Sequence, residues 1–273
     1  MNARELSKSE RLQQISEIVR GEGEIGLDNL AVQLGVSRMT IHRDLEILEA
    51  RGVLRKIRNG ATAQPSSAFE SNLEFRLTQA AEAKERMAAQ AARLVEPGDV
   101  VLLDESTTLL PLLDHLRKID GLTIITNFMP IQASAAKSGT FRLIGLGGEY
   151  VPQYGSFSGP MCEAMVSQLT INRYFTSISA IVGSGAFHPN SMIASAKRAM
   201  MRASVHRYLL ADTSKFLRTA LHRVAGLDEF DQIIIDAELP ADRSKSLGHI
   251  KERLVIALSN TAQEEGIRSG DQA

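Results

Sequence analysis

Apolar residues recur at steps of three and four along the first fifty residues, with polar positions between them. This spacing predicts amphipathic helices over residues 10–19 and 27–34 and a third helix that begins after Ser37. Gly35 ends the second helix, the hydroxyl of Ser37 caps the third, and Gly52 suits its left-handed exit. A helix, a short helix, a glycine-centred turn and a capped helix follow the order of a helix-turn-helix.

A short basic segment follows the third helix. Its cations are Arg55, Lys56 and Arg58, and the Asn59-Gly60 pair is typical of a hairpin turn. A basic hairpin beside such a helix is the wing of a winged helix-turn-helix, whose charges contact phosphates and release counterions.

The polar face of the third helix carries side chains that can read DNA. Arginine can bond guanine through two hydrogen bonds, and threonine can bond a base or a phosphate. The candidate contacts on this helix are Ser37, Arg38, Thr40, His42 and Arg43. From Arg38 to Arg58 there are six Lys or Arg against three Asp or Glu, whereas the whole chain has a net charge of −1. We predict a double-stranded DNA operator as the partner, with a protein-binding winged helix as the alternative.

Beyond residue 95, short apolar runs alternate with helical patterns. The apolar runs predict strands over residues 100–103, 122–126, 141–146, 177–182, 207–211 and 232–235. Helices are predicted over residues 109–116, 130–136, 162–169, 194–204 and 242–258. Continuous apolar strands are typical of a parallel sheet with helices on both faces. The predicted fold class is therefore α/β, an N-terminal winged helix-turn-helix followed by a Rossmann-like core with a mostly parallel sheet.

The predicted organisation has four parts. The winged helix-turn-helix occupies residues 1–63, and residues 64–95 form a linker, QPSSA at 64–68, and a connecting helix. The ligand-sensing core occupies residues 96–260. Residues 261–273 have few apolar side chains to bury and are expected to fray.

Composition narrows the function classes. The single cysteine, Cys162, leaves neither a disulfide framework nor a cysteine-based zinc site, and we predict no metal and no cofactor. No apolar run approaches the length of a membrane span, and the first residues lack the apolar stretch of a signal peptide. We expect a cytoplasmic protein without a membrane partner.

Polar residues follow the predicted strands, where ligands of such sheets bind. The first strand runs into Asp104, Ser106, Thr107 and Thr108 before a helix, an arrangement that favours phosphate. Later strands end at Asn127, at Gly147-Gly148, and at Asp212 with Lys215. Each piece has an ordinary alternative: a helix cap, a turn or a surface lysine. Because the pieces meet at one sheet edge, we predict a small anionic ligand there.

The chain as a whole resembles the DeoR family of transcriptional regulators, over about residues 6–258. Residues 40–61, TIHRDLEILEARGVLRKIRNGA, are similar to the family signature TIRRDL...LE..G.L.R..GGA, with His42 in place of a frequent Arg and Asn59 in place of a frequent Gly. The matching positions in the rest of the chain are Phe75-Arg76, Lys84, Met87-Ala88, Pro97-Gly98-Asp99, Leu103-Asp104, Thr107-Thr108, Thr126-Asn127, Gly147-Gly148, Gly159-Pro160, Lys197-Arg198-Ala199-Met200 and residues 211–216.

The resemblance implies a repressor, more rarely an activator, of sugar or nucleoside catabolic genes. It also implies a homodimer or homotetramer, and a core similar to ribose-5-phosphate isomerase that binds a phosphorylated sugar. Carried over by position, Ser106, Thr107 and Thr108 hold the phosphate. The residues that line the sugar pocket are then Asp104, Asn127, Lys197, Asp212 and Lys215. The usual glycine of the phosphate loop is replaced by Ser106, and Glu105 adds a carboxylate that would repel a phosphate if it points inward.

One departure separates a sensor from an enzyme. Between Glu163 and Asp212 there is no Asp or Glu, whereas an aldose–ketose isomerase needs a base there. His188 is the remaining candidate base, but a lone loop histidine is usually solvated. We therefore predict a binding module and no enzyme activity. The alternatives are a regulator controlled by a protein partner or a non-sugar anion, and a sugar-phosphate isomerase.

Overall fold

The computed structural model describes residues 7–50, 54–62 and 73–257. The chain divides into two compact units, Met1–Gln79 and Ala80–Ala273. The predicted helix exit at Gly52, the linker at residues 64–68 and the tail at residues 261–273 lie outside the described residues.

The first unit combines helices with a three-stranded antiparallel sheet. Its elements are α1 (Lys8–Glu22), β1 (Glu24–Gly26), α2 (Leu27–Leu34), α3 (Arg38–Ala50), β2 (Arg55–Ile57), β3 (Gly60–Thr62) and α4 (Leu73–Thr78). The strand order is β1-β3-β2, and both pairings are antiparallel. The three helices predicted by the apolar spacing are confirmed, and their apolar stripes meet in one core around Ile15, Leu30, Ile41 and Leu45.

The wing hairpin turns one residue earlier than predicted. Its turn residues are Arg58 and Asn59, and Gly60 is the first residue of β3, paired with Gly26 of β1. A Cβ on Gly60 would lie 2.1 Å from the carbonyl oxygen of Ile25. Gly60 is therefore needed for the close approach of β1 and β3, not for a positive backbone angle in the turn.

The second unit is built on a parallel sheet. The strands of this unit are β4 (Val100–Leu103), β5 (Thr123–Thr126), β6 (Arg142–Gly145), β7 (Glu149–Val151), β8 (Ser156–Ser158), β9 (Ile171–Thr176), β10 (Ala180–Val182), β11 (Gly185–His188), β12 (Ser204–Ala211), β13 (His222–Gly226), β14 (Gln232–Ile235) and β15 (Leu254–Ile256). Seven of them form the main sheet in the order β15-β14-β12-β9-β4-β5-β6, with every pairing parallel. The remaining strands form the antiparallel sheets β10-β11-β13 and β7-β8.

Helices precede the main sheet and connect most of its strands. They are α5 (Ala81–Ala92), α6 (Leu110–Leu116), α7 (Met129–Ser138), α8 (Pro160–Ser167), α9 (Ser191–Arg202) and α10 (Ala241–Ser246), with 3-10 turns at Thr107–Leu109, Thr213–Leu217, Leu227–Glu229 and Gly248–Arg253. The α/β fold class with a mostly parallel sheet is confirmed. Because the strands are parallel, Asp104, Asn127, Ser177 and Asp212 follow strand ends at the same edge.

Two predicted elements of the core are wrong. Residues 177–182 do not form a strand of the main sheet, which uses β9 instead. The polar Arg173 interrupts the apolar pattern of β9 in the sequence. In the structure this arginine forms an ion pair with Asp99. Residues 242–258 are not one helix, because Gly248 has a positive φ of 55° and ends the helical run. The 3-10 turn at Gly248–Arg253 follows and leads into β15, which pairs with β14 at the sheet edge.

Helix α5 belongs to the second unit rather than to a connecting segment. Met87, Ala88 and Ala91 are fully buried in it, and the helix packs against α6. The division of the chain between Gln79 and Ala80 therefore differs from the predicted boundaries at residues 64 and 96. None of the helices in the described ranges combines the length and apolar character needed to cross a bilayer.

Candidate functional site

A buried lysine joins two carboxylates at the carboxyl edge of the sheet. Lys197 Nζ, carried by α9, lies 2.6 Å from Asp104 Oδ2 and 2.9 Å from Glu105 Oε1. The hydroxyls of Tyr174 and Thr176 on β9 donate to the same Asp104 oxygen at 2.7 and 2.5 Å. Asp104 and Lys197, both predicted as site residues, are in direct contact.

Burial changes the proton affinities of this cluster. Burial alone would lower the pKa of Lys197, but the charges of Asp104 and Glu105 outweigh it and hold that pKa above its ordinary value. Burial raises the pKa of Glu105, and the nearby charge of Lys197 offsets this only in part. Burial and the charges of Glu105 and Glu163 also raise the pKa of the Cys162 thiol to about 12, so this cysteine stays a thiol.

The hydroxyl loop after β4 borders this cluster. Ser106 Oγ lies 3.2 Å from Lys197 Nζ and accepts a hydrogen bond from the Ser177 amide at 3.2 Å. Thr107 Oγ1 accepts a hydrogen bond from Lys84 Nζ at 3.1 Å. Thr108 is buried in the same 3-10 turn. The loop therefore contacts two buried lysines from other elements, Lys197 at Ser106 and Lys84 at Thr107.

Lys84 was absent from the predicted site residues. It lies on α5, only 6% exposed, and a lysine buried beside hydroxyls is a stronger indicator of an anion site than the hydroxyls alone. Its place within an Ala- and Glu-rich helix conceals it, because such a lysine is normally a solvent-exposed residue.

Three polar atoms near Asn127 lack partners in the described part of the chain. Asn127 Nδ2 donates to the carbonyl of Phe157 at 2.8 Å, which leaves its Oδ1 buried without a hydrogen bond. The hydroxyls of Ser156 and Ser158, two positions apart on β8, are likewise buried without a partner. Such groups cost free energy unless a ligand or water satisfies them. Neither serine was predicted, because β8 belongs to the β7-β8 hairpin and not to the main sheet.

The two predicted glycines shape this region. Gly148 has a φ of 138°, and a Cβ there would lie 2.5 Å from the carbonyl oxygen of Ser158. Gly147 donates from its amide to Met165 Sδ at 3.4 Å. The pair lets the chain pass directly beside β8 and α8, which a side chain at 148 would prevent.

Two further predicted residues have different surroundings from the cluster. Asp212 caps the 3-10 turn after β12, where it accepts hydrogen bonds from Ser214 and lies 3.8 Å from Lys215 Nζ. In the described residues, the hydrogen bonds and ion pair of Asp212 stay within its own loop. Burial would raise the pKa of Asp212, but Lys215 and the Ser214 hydrogen bonds hold it below its ordinary value.

His188 does not match the expectation of a solvated loop histidine. The side chain is 3% exposed, its Nδ1 accepts a hydrogen bond from the Asn190 amide at 3.1 Å, and its ring lies 5.2 Å from that of Tyr154. The Asn190 contact occupies one ring nitrogen and gives the imidazole a structural role at the start of α9.

The candidate DNA interface of the first unit begins at Ser37. Its hydroxyl accepts a hydrogen bond from the Thr40 amide at 3.1 Å, so the predicted cap is confirmed. The hydroxyls of Ser37 and Thr40 are 2.9 Å apart. Helix α3 is tied to α1 by the ion pair between Arg11 and buried Asp44, 2.5 Å between Nε and Oδ2.

Acidic residues neutralise part of this surface. Arg38 lies 2.9 Å from Asp28, while His42 Nδ1 and Lys56 Nζ each lie 3.3 Å from Glu46. In contrast, three exposed arginines have no carboxylate within 4.0 Å among the described residues. They are Arg43 on α3 and Arg55 and Arg58 on the wing hairpin.

A winged helix-turn-helix unit and a parallel α/β unit in one chain define a class of DNA-binding regulators with a separate ligand-type domain. Residues 11–67 match the DeoR-like helix-turn-helix domain, and residues 79–237 match the DeoR C terminal sensor domain. The chain belongs to the DeoR family of transcriptional regulators.

Individual relatives extend over most of the chain. The chain is 32% identical over 250 residues to the uncharacterised HTH-type transcriptional regulator YgbI of Escherichia coli (strain K12), covering 92% of this chain and 97% of that protein. It is 32% identical over 238 residues to a lactose phosphotransferase system repressor of Staphylococcus aureus (strain N315), covering 85% and 94%. Among solved structures it is similar to ribose 5-phosphate isomerase from Plasmodium falciparum, with 14% identity and a TM-score of 0.37 over 50% of this chain and 52% of that one.

Proposed function

We propose that this DeoR-family regulator represses genes of sugar catabolism and that a phosphorylated sugar binds at the Asp104–Lys197 edge of the sheet to change its affinity for the operator. The observation that carries the proposal is the combination of two buried lysines with three unpartnered polar atoms at that edge. Relatives named as lactose phosphotransferase system repressors and as a putative aga operon transcriptional repressor support the sugar class.

Two sets of polar side chains would recognise different parts of such a ligand. Lys84 and Lys197, with the hydroxyls of the loop at residues 106–108, suit a phosphate. The Asn127, Ser156 and Ser158 atoms suit sugar hydroxyls, which can both donate and accept. We place Gly147, Gly148, Asp212 and Lys215 at the border of this site.

Glu105 shapes the electrostatics of the proposed site. With all groups ionised, the charges of Asp104 and Glu105 cancel those of Lys84 and Lys197. Because burial raises the pKa of Glu105, protonating this carboxyl is the least costly way to leave a net positive charge for the phosphate. Binding of the sugar phosphate is then coupled to protonation of Glu105.

We propose that the core is a sensor without isomerase activity. The oxygen of Asp104 that faces the cluster already accepts from Tyr174, Thr176 and Lys197, and His188 is bonded to Asn190. These contacts already engage that Asp104 oxygen and His188 Nδ1, which leaves neither atom as a proton acceptor for a substrate. Incubation with ribose 5-phosphate tests this directly, because formation of the ketose phosphate would contradict it.

The proposed mechanism is a population shift in a homodimer or homotetramer. The ligand binds one arrangement of two recognition helices more tightly than another, and so changes their fit to two half-sites. A ligand with equal affinity for both arrangements would have no effect.

A gel-shift experiment tests the proposed function. DNA upstream of the chain's own gene is titrated with the full chain, with and without a panel of sugar phosphates and the matched unphosphorylated sugars. We expect selective DNA binding that a sugar phosphate weakens and the free sugar does not. Absence of selective binding at moderate salt contradicts the DNA proposal, and selective binding that no sugar phosphate changes contradicts the ligand proposal.

A further inference from the structure

A basic pocket distinct from the proposed sugar-phosphate site lies in the sensor unit, away from the carboxyl ends of the strands. It is a cavity of about 360 Å³ between the end of α9, the start of β12 and β13. Four arginines line it, Arg198, Arg202, Arg207 and Arg223, together with Glu229. A cavity of this volume is at the lower end of the range for small-molecule sites.

Two of the arginines are held by backbone carbonyls. Arg198 Nη1 donates to the carbonyl of Arg223 at 2.6 Å, and Arg207 Nε donates to the carbonyl of Met201 at 2.9 Å. Each guanidinium keeps further N–H groups for another acceptor, because arginine carries five donors. The fork of each side chain is therefore oriented before a ligand arrives.

The protein neutralises the positive charge of this pocket only in part. Among the described residues, no carboxylate lies within 4.0 Å of the four guanidinium groups. Glu229 accepts a hydrogen bond from the Gly226 amide at 2.7 Å, which binds it to its own turn. Four arginines against one glutamate leave a formal charge of +3 around a small cavity.

Repulsion within this cluster reduces the stability of the unliganded protein. Arg198 and Arg202 are four residues apart on the same face of α9, a spacing at which like charges repel. Two further arginines, Arg207 on β12 and Arg223 on β13, line the same pocket. An anion that bridges them would remove the repulsion.

We propose that this pocket binds a small ligand through a diphosphate group. Guanidinium forks match phosphate oxygens through paired hydrogen bonds, and two adjacent phosphates match the number of forks better than one. A concave cavity favours a compact ligand over a nucleic-acid backbone, which needs an extended surface. The proposal stands without the sugar-phosphate site, since the residues of the two sites are different.

The two sites share one helix. Lys197 and Arg198 are consecutive on α9, the first buried against Asp104 and the second lining the arginine pocket. A diphosphate that restrains α9 is therefore positioned to change sugar-phosphate affinity, and the effect must be reciprocal at equilibrium. This coupling alone rests on the proposed function.

Calorimetric titration of the full chain with inorganic diphosphate tests the proposal. The Arg202→Ala/Arg223→Ala double variant removes two exposed arginines, and Arg142→Ala removes an exposed arginine on β6 as the matched control. We expect the double variant to weaken diphosphate binding at least tenfold and Arg142→Ala to leave it unchanged. Circular dichroism establishes that each variant is folded.

Two outcomes would contradict the proposal, and a third separates it from the proposed function. If inorganic diphosphate does not bind, or binds both variants equally, the pocket is not a diphosphate site. If the double variant loses DNA affinity while its diphosphate binding is unchanged, the arginines serve the DNA backbone instead. Loss of gel-shift sensitivity to sugar phosphate with intact diphosphate binding would concern the proposed function and not this pocket.

Discussion

Lys197 Nζ lies 2.6 Å from Asp104 Oδ2, and the side chains of both residues are at most 1% exposed. Removing two charges from water is costly, and the attraction between them repays this only with good geometry and additional hydrogen bonds. Both conditions are met here, because Ser106 and the Ser177 carbonyl also contact the ammonium group. The pair joins α9 to the end of β4 at the centre of the candidate site.

Replacing Lys197 by methionine should destabilise the sensor unit strongly. Asp104 and Glu105 would be left buried without a cation, and breaking a buried pair in this way costs about 3–5 kcal/mol. Urea unfolding of the full chain measures the change. Lys118→Met, at an exposed lysine, is the control and should change stability by less than about 0.5 kcal/mol. Equal stability of the two variants would contradict the role of Lys197.

Replacing Glu105 by glutamine should strengthen sugar-phosphate binding and reduce its pH dependence. Burial raises the pKa of Glu105, so in the natural chain the carboxyl gains its proton, and affinity rises, as pH falls through that raised value. Calorimetry at several pH values compares the two chains with the same ligand, which removes the titration of the phosphate itself from the comparison. A pH profile that is identical in both chains would contradict proton coupling at this residue.

Replacing Ser158 by alanine should have opposite effects on stability and on ligand binding. Its buried hydroxyl has no partner among the described residues, so its removal should stabilise the unliganded chain by about 1 kcal/mol. A lost hydrogen bond to the sugar should weaken binding by about threefold to tenfold.

Ser204→Ala is the matched control for that variant. The Ser204 hydroxyl is also buried, but it donates to the Met200 carbonyl at 2.7 Å, so its loss should destabilise the chain and leave ligand affinity unchanged. If Ser158→Ala destabilises the unliganded chain as Ser204→Ala does, Ser158 has a structural partner and not a ligand.

The parts of this fold that follow from local pattern could be predicted from the sequence. The helices of the first unit have regular apolar stripes, and most strands of the main sheet are continuous apolar runs. Strand β9 was not predicted, because Asn172 and Arg173 interrupt its apolar pattern. Their polarity is explained only by distant partners, the Val100 amide and the Asp99 carboxylate.

The candidate site was predictable at the strand ends and not beyond them. Asp104 and Asn127 follow strands directly, so the parallel topology brings them to one edge. Lys84 and the serines of β8 reach that edge through helix packing and a hairpin, and no local spacing encodes such contacts. The inward direction of Glu105 depends on Lys197, which is 92 residues away in the chain.

Replacing Arg43 by alanine should weaken operator binding while both units stay folded. The side chain is exposed on α3 and has no carboxylate partner in the described residues, so its loss breaks no ion pair there. A contact to a base is worth about 1–3 kcal/mol, and the loss should be greater for the operator than for unrelated DNA. Gel shifts compare the Arg43→Ala variant with Lys8→Ala on α1, which serves as the control. Unchanged binding would mean that another surface meets the DNA.

Replacing Gly60 by alanine should disrupt the wing through its backbone. The added carbon would lie 2.1 Å from the Ile25 carbonyl oxygen and 2.9 Å from Gly26 Cα, and backbone atoms cannot move aside as a flexible side chain can. We expect the first unit to lose more than about 2 kcal/mol of stability, because overpacking of this kind separates β1 from β3. Hydrogen exchange at the amides of these strands measures the loss, and gel shifts should show weaker DNA binding.

Gly21→Ala separates this effect from a general intolerance of larger residues. Gly21 is within α1 and has no atom within 4 Å of the position of a Cβ. Alanine favours a helix interior over glycine by about 1 kcal/mol, so this variant should be more stable than the natural chain and bind DNA normally. If Gly60→Ala leaves exchange and DNA binding as Gly21→Ala does, the β1–β3 approach does not limit the wing, and the arginines of the hairpin do not depend on it for their placement.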